Sequence, residues 1–134
     1  MGKRSTARRL AMQALYEAEH STKDIHTSLK NVFSHEGYLD ETKTFAKELA
    51  CGVFLKKSEI DMLISKYSID WPLDRISGVD RNILSLSLYE IREAKTPPQV
   101  VINEAVELAK KYSSKEAAKF INGILGAYIK DRRP

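Results

Sequence analysis

A single cysteine, Cys51, in 134 residues rules out an internal disulfide, so burial and hydrogen bonding must hold the fold together. No stretch approaches the roughly 20 apolar residues of a membrane span, and no signal-peptide apolar core follows the N-terminal charges. The chain is therefore expected to be cytoplasmic, with no membrane partner. His20, His26 and His35 are scattered, without cysteine or carboxylate at metal-ligand spacing, so no metal site is expected. The glycines at 2, 37, 52, 78, 123 and 126 form no phosphate-cradling loop. Cys51 has no basic neighbour closer than Lys47, and reads as a small buried hydrophobe rather than a nucleophile. These absences leave no catalytic residue and no cofactor to expect.

Period-two alternation over a strand's length is missing too, and what remains is helical. Ile25 to Phe33 is a short predicted helix with Ile25, Leu29, Val32 and Phe33 inward. Thr42 to Lys57 follows, burying Phe45, Leu49, Val53 and Phe54. Ser58 reads as the cap of a next helix, with Asp61 in capping-box position and Ile60, Leu63, Ile64 and Tyr67 buried. Trp71-Pro72 ends that unit. Pro72 to Ile76 opens another, and Val79 to Glu93 is a core helix around Ile83, Leu84, Leu88 and Ile91. Pro97-Pro98 then marks a boundary, because each ring removes a donor and clashes with the preceding turn. Beyond it Val101, Ile102, Ala105, Leu108, Ala109 and Tyr112 make one wide stripe, with Glu104 and Glu107 early and Lys110 and Lys111 late, as the helix dipole favours. Glu107 is placed to pair with Lys111. At this length a single domain, residues 1–134, is expected, burying about two-thirds of its unfolded surface.

Two features break these rules. Lys3, Arg4, Arg8 and Arg9 fall within the first nine residues, with no acid before Glu17. They open a helix from about Ser5 or Thr6 to Glu19 whose stripe is Leu10, Ala11, Ala14, Leu15 and Ala18. Cations at a helix N-terminus oppose its dipole. A polyanion offsets that cost, because neutralised phosphates release counterions. Arg8, Met12 and Tyr16 form an i, i+4 row at the stripe's edge, and an aromatic beside arginines suits unpaired bases. A frayed, solvated terminus is the competing reading. The second feature is Phe120. From Ser114 to Ile129 the stripe is Ala117, Ala118, Ile121, Ile124, Leu125, Tyr128 and Ile129, and Phe120 lies about 110° from its middle, beside Lys119. Gly123, on the same side, reads as a point of close helix approach. A large aromatic there is either packed under a neighbour or offered to a ligand. Between these features, Asp74, Arg75, Asp80 and Arg81 alternate in sign over a helix start, either a self-paired face or a partner surface.

Four segments together carry a family resemblance: Arg8 to Tyr16, Val79 to Ile91, Pro97 to Lys111, and Lys119 to Leu125. In order and over nearly the whole chain, they resemble the NusB family of transcription antitermination factors. The resemblance implies an all-α fold of about seven helices in two packed sub-bundles, occurring as a monomer or homodimer. It implies pairing with the ribosomal protein NusE, binding of boxA-type single-stranded RNA in ribosomal RNA operon transcripts, and a place in the RNA polymerase antitermination complex. Carried over residue by residue, the RNA-binding positions are Lys3, Arg4, Arg8, Tyr16, Lys119 and Phe120. Asp80 and Arg81 map to the NusE-facing surface. Ser85 stands where the family often has an arginine, and Ser5 and Thr6 where some members carry more arginines. Both departures remove charge, which implies weaker RNA affinity or more reliance on NusE. Two other readings stay open: a helical homodimer without an RNA role, and the NusB-like portion of a ribosomal RNA cytosine methyltransferase.

Overall fold

The structure, a computed structural model, describes residues 2–69 and 71–132. Among these residues it has seven α-helices, one 3-10 turn and no strand. The chain divides into two compact units, Met1–Lys56 and Lys57–Pro134.

The first unit holds three helices: α1 (Lys3–His20), α2 (Ile25–Phe33) and α3 (Asp40–Leu55). Each packs on the other two. Ala7, Leu10, Ala11, Ala14 and Leu15 supply the buried face of α1, and Ala46, Leu49, Ala50 and Val53 that of α3. The small residues on both helices let the backbones approach closely while the leucines fill between them. α2 keeps its predicted bounds. Its start is set by Asp24, whose side chain accepts from the Thr27 backbone N–H at 2.7 Å. That bond stabilises the carboxylate and holds Asp24 below its ordinary pKa.

Three expectations for this region are corrected. Phe54 is 45% exposed rather than inward. Helix α3 stops at Leu55, so Phe54 falls in a last turn whose buried face is already filled by Ala50 and Val53. Cys51 is only half-buried, and that burial still pushes its thiol pKa up. Ser58 caps nothing, because the next helix has already begun one residue earlier. Asp61 instead pairs with Lys57 one turn back at 3.1 Å.

The second unit holds α4 (Lys57–Tyr67), the 3-10 turn Leu73–Arg75, α5 (Gly78–Arg92), α6 (Pro98–Tyr112) and α7 (Lys115–Arg132). Helix α5 is its centre, in contact with α4, α6 and α7. Beyond the predicted Ile83, Leu84, Leu88 and Ile91, it also buries Asn82, Ser85, Leu86 and Ser87. The polar side chains among these are satisfied within the helix itself. Asn82 donates to the Gly78 carbonyl, Ser85 to Arg81 and Ser87 to Ile83, each at 2.8 Å. Pro97 and Pro98 occupy the N-cap and first position of α6, where the missing N–H costs nothing. Glu107 pairs with Lys110 at 3.6 Å rather than with Lys111. A Cβ built on Gly123 meets nothing within 4 Å, so that glycine marks no close helix approach.

Candidate functional site

The cationic start of α1 lies against the N-terminal half of α3. Arg4 places its guanidinium 4.2 Å from the centroid of the Phe45 ring, and Arg8 lies 5.6 Å from the same centroid. Phe45 therefore gathers two arginines whose charges repel, through the negative face of its ring. Helix α3 also brings acids. Lys3 reaches both carboxylate oxygens of Glu41 at 3.2 and 3.3 Å. Asp40, Glu41 and Glu48 line a cavity of about 450 Å³ together with Lys3 and Arg4. The first sixteen residues contain no carboxylate, yet the folded unit delivers three from α3. The helix-dipole cost of the N-terminal cations is partly met inside the protein.

Exposure differs sharply along this segment. Lys3 and Arg4 are exposed, whereas Arg8 is 5% exposed and Met12 4%. The row expected at the stripe's edge is thus covered at its first two positions and open only at Tyr16, which is 39% exposed. Tyr16 stacks on His20, with centroids 4.1 Å apart and 24° between planes, and its carbonyl hydrogen-bonds His20 Nδ1 at 2.9 Å. One face of the tyrosine ring is thereby taken by a residue one turn on.

In the second unit, Phe120 is half-buried on α7 and Lys119 beside it is exposed. Phe120 meets the ring of Trp71 edge to face, with centroids 6.4 Å apart at 63°. Trp71 itself is 49% exposed. Phe120 is thus both packed against an aromatic neighbour and partly accessible, so burial does not remove it from the surface. Trp71 read only as a terminator in the sequence. The sole signal available was that it is the one tryptophan and stands before a proline. Its approach to a residue 49 positions away leaves no periodic trace.

Asp80 and Arg81 hold the start of α5. The Asp80 backbone N–H donates to the Ser77 hydroxyl at 3.2 Å, and Arg81 Nη1 donates to the Ile76 carbonyl at 3.3 Å. Asp80 Oδ1 is buried without a hydrogen-bond partner among the described residues. Ser85, one turn on, is 5% exposed, so the position is covered rather than displayed. Among the described residues no cluster of three or more metal-ligating side chains occurs, and no helix is long and apolar enough to cross a membrane.

Comparison with known proteins places this geometry in context. The model of the NusB family matches residues 5–130. The transcription antitermination protein NusB of Myxococcus xanthus (strain DK1622) is 41% identical over 131 residues, covering 93% of each chain. That of Bacillus subtilis (strain 168) is 41% identical over 126 residues, covering 92% of each. Among solved structures, T. maritima NusB matches with a TM-score of 0.88 at 35% identity, over 100% of this chain and 94% of that one. A crystal structure of antitermination factors NusB and NusE in complex with dsRNA matches with a TM-score of 0.89 at 31% identity, over 98% of each chain.

Proposed function

The chain belongs to the NusB family, and from that premise we propose that it is a non-catalytic, cytoplasmic RNA-binding antitermination factor. It pairs with ribosomal protein NusE and binds boxA-type single-stranded RNA of ribosomal RNA operon transcripts. As part of the RNA polymerase antitermination complex it suppresses early termination. The whole chain, residues 1–134, serves as one RNA-binding domain, as a monomer or as a homodimer.

The observation that carries the RNA reading is the cationic start of α1, with Arg4 and Arg8 gathered on Phe45. Lys3 and Arg4, being exposed, meet phosphates directly. Arg8, almost covered beneath them, adds positive potential and fixes the ring that Arg4 rests on. Tyr16, with His20 behind it, offers a face to an unpaired base. On the second unit Phe120 offers a stacking surface and Lys119 a charge, and Trp71 joins Phe120 there. Each contact set is tested on its own unit. Asp80 and Arg81 face NusE in this reading, which rests on the family likeness and on their place at the start of α5. The low net charge at the α1 start, where Glu41 competes for Lys3, supports a reliance on NusE for full affinity.

The test is fluorescence anisotropy on a labelled boxA RNA with and without NusE. Binding that tightens when NusE is added is the expected result. Absence of binding in both titrations overturns the reading.

A further inference from the structure

The first unit carries another basic surface that the family resemblance does not account for. His26 and Lys30 stand one turn apart on α2, and Lys43 and Lys47 one turn apart on α3. The two rows border a groove of about 470 Å³, floored by Leu29 and Phe33, and no carboxylate lines it. That volume lies within the range of about 300–1,000 Å³ typical of sites for small organic groups. Phe33 is half-buried at its base.

The lysines set this groove apart from the α1 start. Lys3 is paired with Glu41, but among the described residues Lys30, Lys43 and Lys47 form no ion pair and no side-chain hydrogen bond. Lys43 and Lys47 repel one another at i, i+4, and Lys43 lies near the unfavourable N-terminal end of α3. The α2 dipole favours Lys30 in that helix's last turn, but Lys43 and Lys47 have no such compensation, and three cations without ion-pair partners around one groove repel one another. An anionic ligand reverses that balance.

We infer that the groove between α2 and α3 is a second nucleic-acid contact, in which Lys30, Lys43 and Lys47 hold phosphates of single-stranded RNA and Phe33 supports a base. Lysine ammonium groups on flexible stems suit phosphates, which impose little directional demand. A protein partner fits less well, since a stable interface needs about 800 Å² per side with an apolar core, and here only one half-covered aromatic is on offer. The inference rests on the RNA-binding reading and extends it to residues outside the set carried over from the family.

The experiment uses the full chain and a fluorescein-labelled oligouridine of about 20 nucleotides, long enough to exceed a single contact set. Affinity is measured across a salt series for the wild type and for Lys30→Gln/Lys43→Gln/Lys47→Gln. Losing three phosphate contacts is expected to lower the slope of log K against log salt by about two. The triple Lys→Arg variant is expected to retain binding. The Gln variant's melting temperature is expected to equal or exceed that of the wild type at low salt, as removed repulsion requires and a purely structural role does not. If the wild type binds and the Gln variant matches it in slope and affinity, the groove is no RNA contact while the general reading stands. If the wild type does not bind oligouridine, the groove inference falls, and the general reading is decided separately by the boxA titrations with and without NusE.

Discussion

Lys3 and Glu41 are both more than half exposed, with side-chain exposures of 55% and 72%, so their ion pair is held in high dielectric. Pairs of this kind contribute at most about 1 kcal/mol, which makes Glu41 a competitor that phosphate can displace. Glu41→Gln is expected to tighten RNA binding by up to about fivefold at low salt, read by anisotropy; an unchanged affinity would show that Lys3 is not used. Arg8 differs because it is covered. Arg8→Ala removes both a cation over Phe45 and a buried aliphatic stem, so it is expected to lower stability by about 1–2 kcal/mol in urea titrations. Because Arg8 is covered, the same variant is expected to reduce the salt slope by less than the roughly 0.7 of a direct phosphate contact. For Phe120 and Trp71 the expectation is a loss of about 1–3 kcal/mol of RNA binding on substitution of either by alanine. Loss of cooperative unfolding, with RNA binding by the folded fraction intact, would instead identify the pair as packing alone.

Helix ends decide much of the element-level stability. Asp24 caps α2 through its ionised form, so its folded pKa lies below the ordinary 3.8. The stabilisation is present above the unfolded value and lost as pH falls through the folded one. The melting temperature of Asp24→Ala should therefore lie below that of the wild type at neutral pH, with the gap closing as pH drops below the ordinary carboxylate range. In the second unit, α5 closes in a Schellman motif: the Lys95 N–H donates to the Glu90 carbonyl at 3.2 Å and the Ala94 N–H to the Ile91 carbonyl at 3.1 Å. The position that favours glycine holds Ala94 at φ 54°. Ala94→Gly is expected to stabilise the protein by about 1 kcal/mol, measured from the urea midpoint. The helices themselves were largely readable from periodicity, since their faces are set by spacing along one element. Their junctions were less so. Ser58 and Asp61 have the chemistry of a capping box, but α3 and α4 follow each other so closely that the serine lies inside a helix.

At the scale of the whole molecule, the net charge of +4 favours association with polyanions at low salt. At about 0.7 per neutralised phosphate, the exposed Lys3 and Arg4 of the first unit give an expected slope contribution near −1.4 for single-stranded RNA, and Lys119 of the second about −0.7. The lysine groove would steepen the first unit's contribution. The order of the amino acids was enough to determine an all-α chain, the greater part of the buried stripes of α1, α6 and α7 (Ala18, Leu108, Tyr112 and Ile129 are only half-buried), the diproline boundary and the two departures from pattern at Arg4–Arg8 and Phe120. All of these depend on neighbours a few residues apart, which helix geometry relates directly. Only the tertiary structure decided that Glu41 sits on Lys3, that Phe45 gathers Arg4 and Arg8, that Trp71 meets Phe120, and that Lys30 faces the same groove as Lys43 and Lys47. Those pairings join separate elements. A charge or a ring carries no record of its distant partner until packing brings the two within reach.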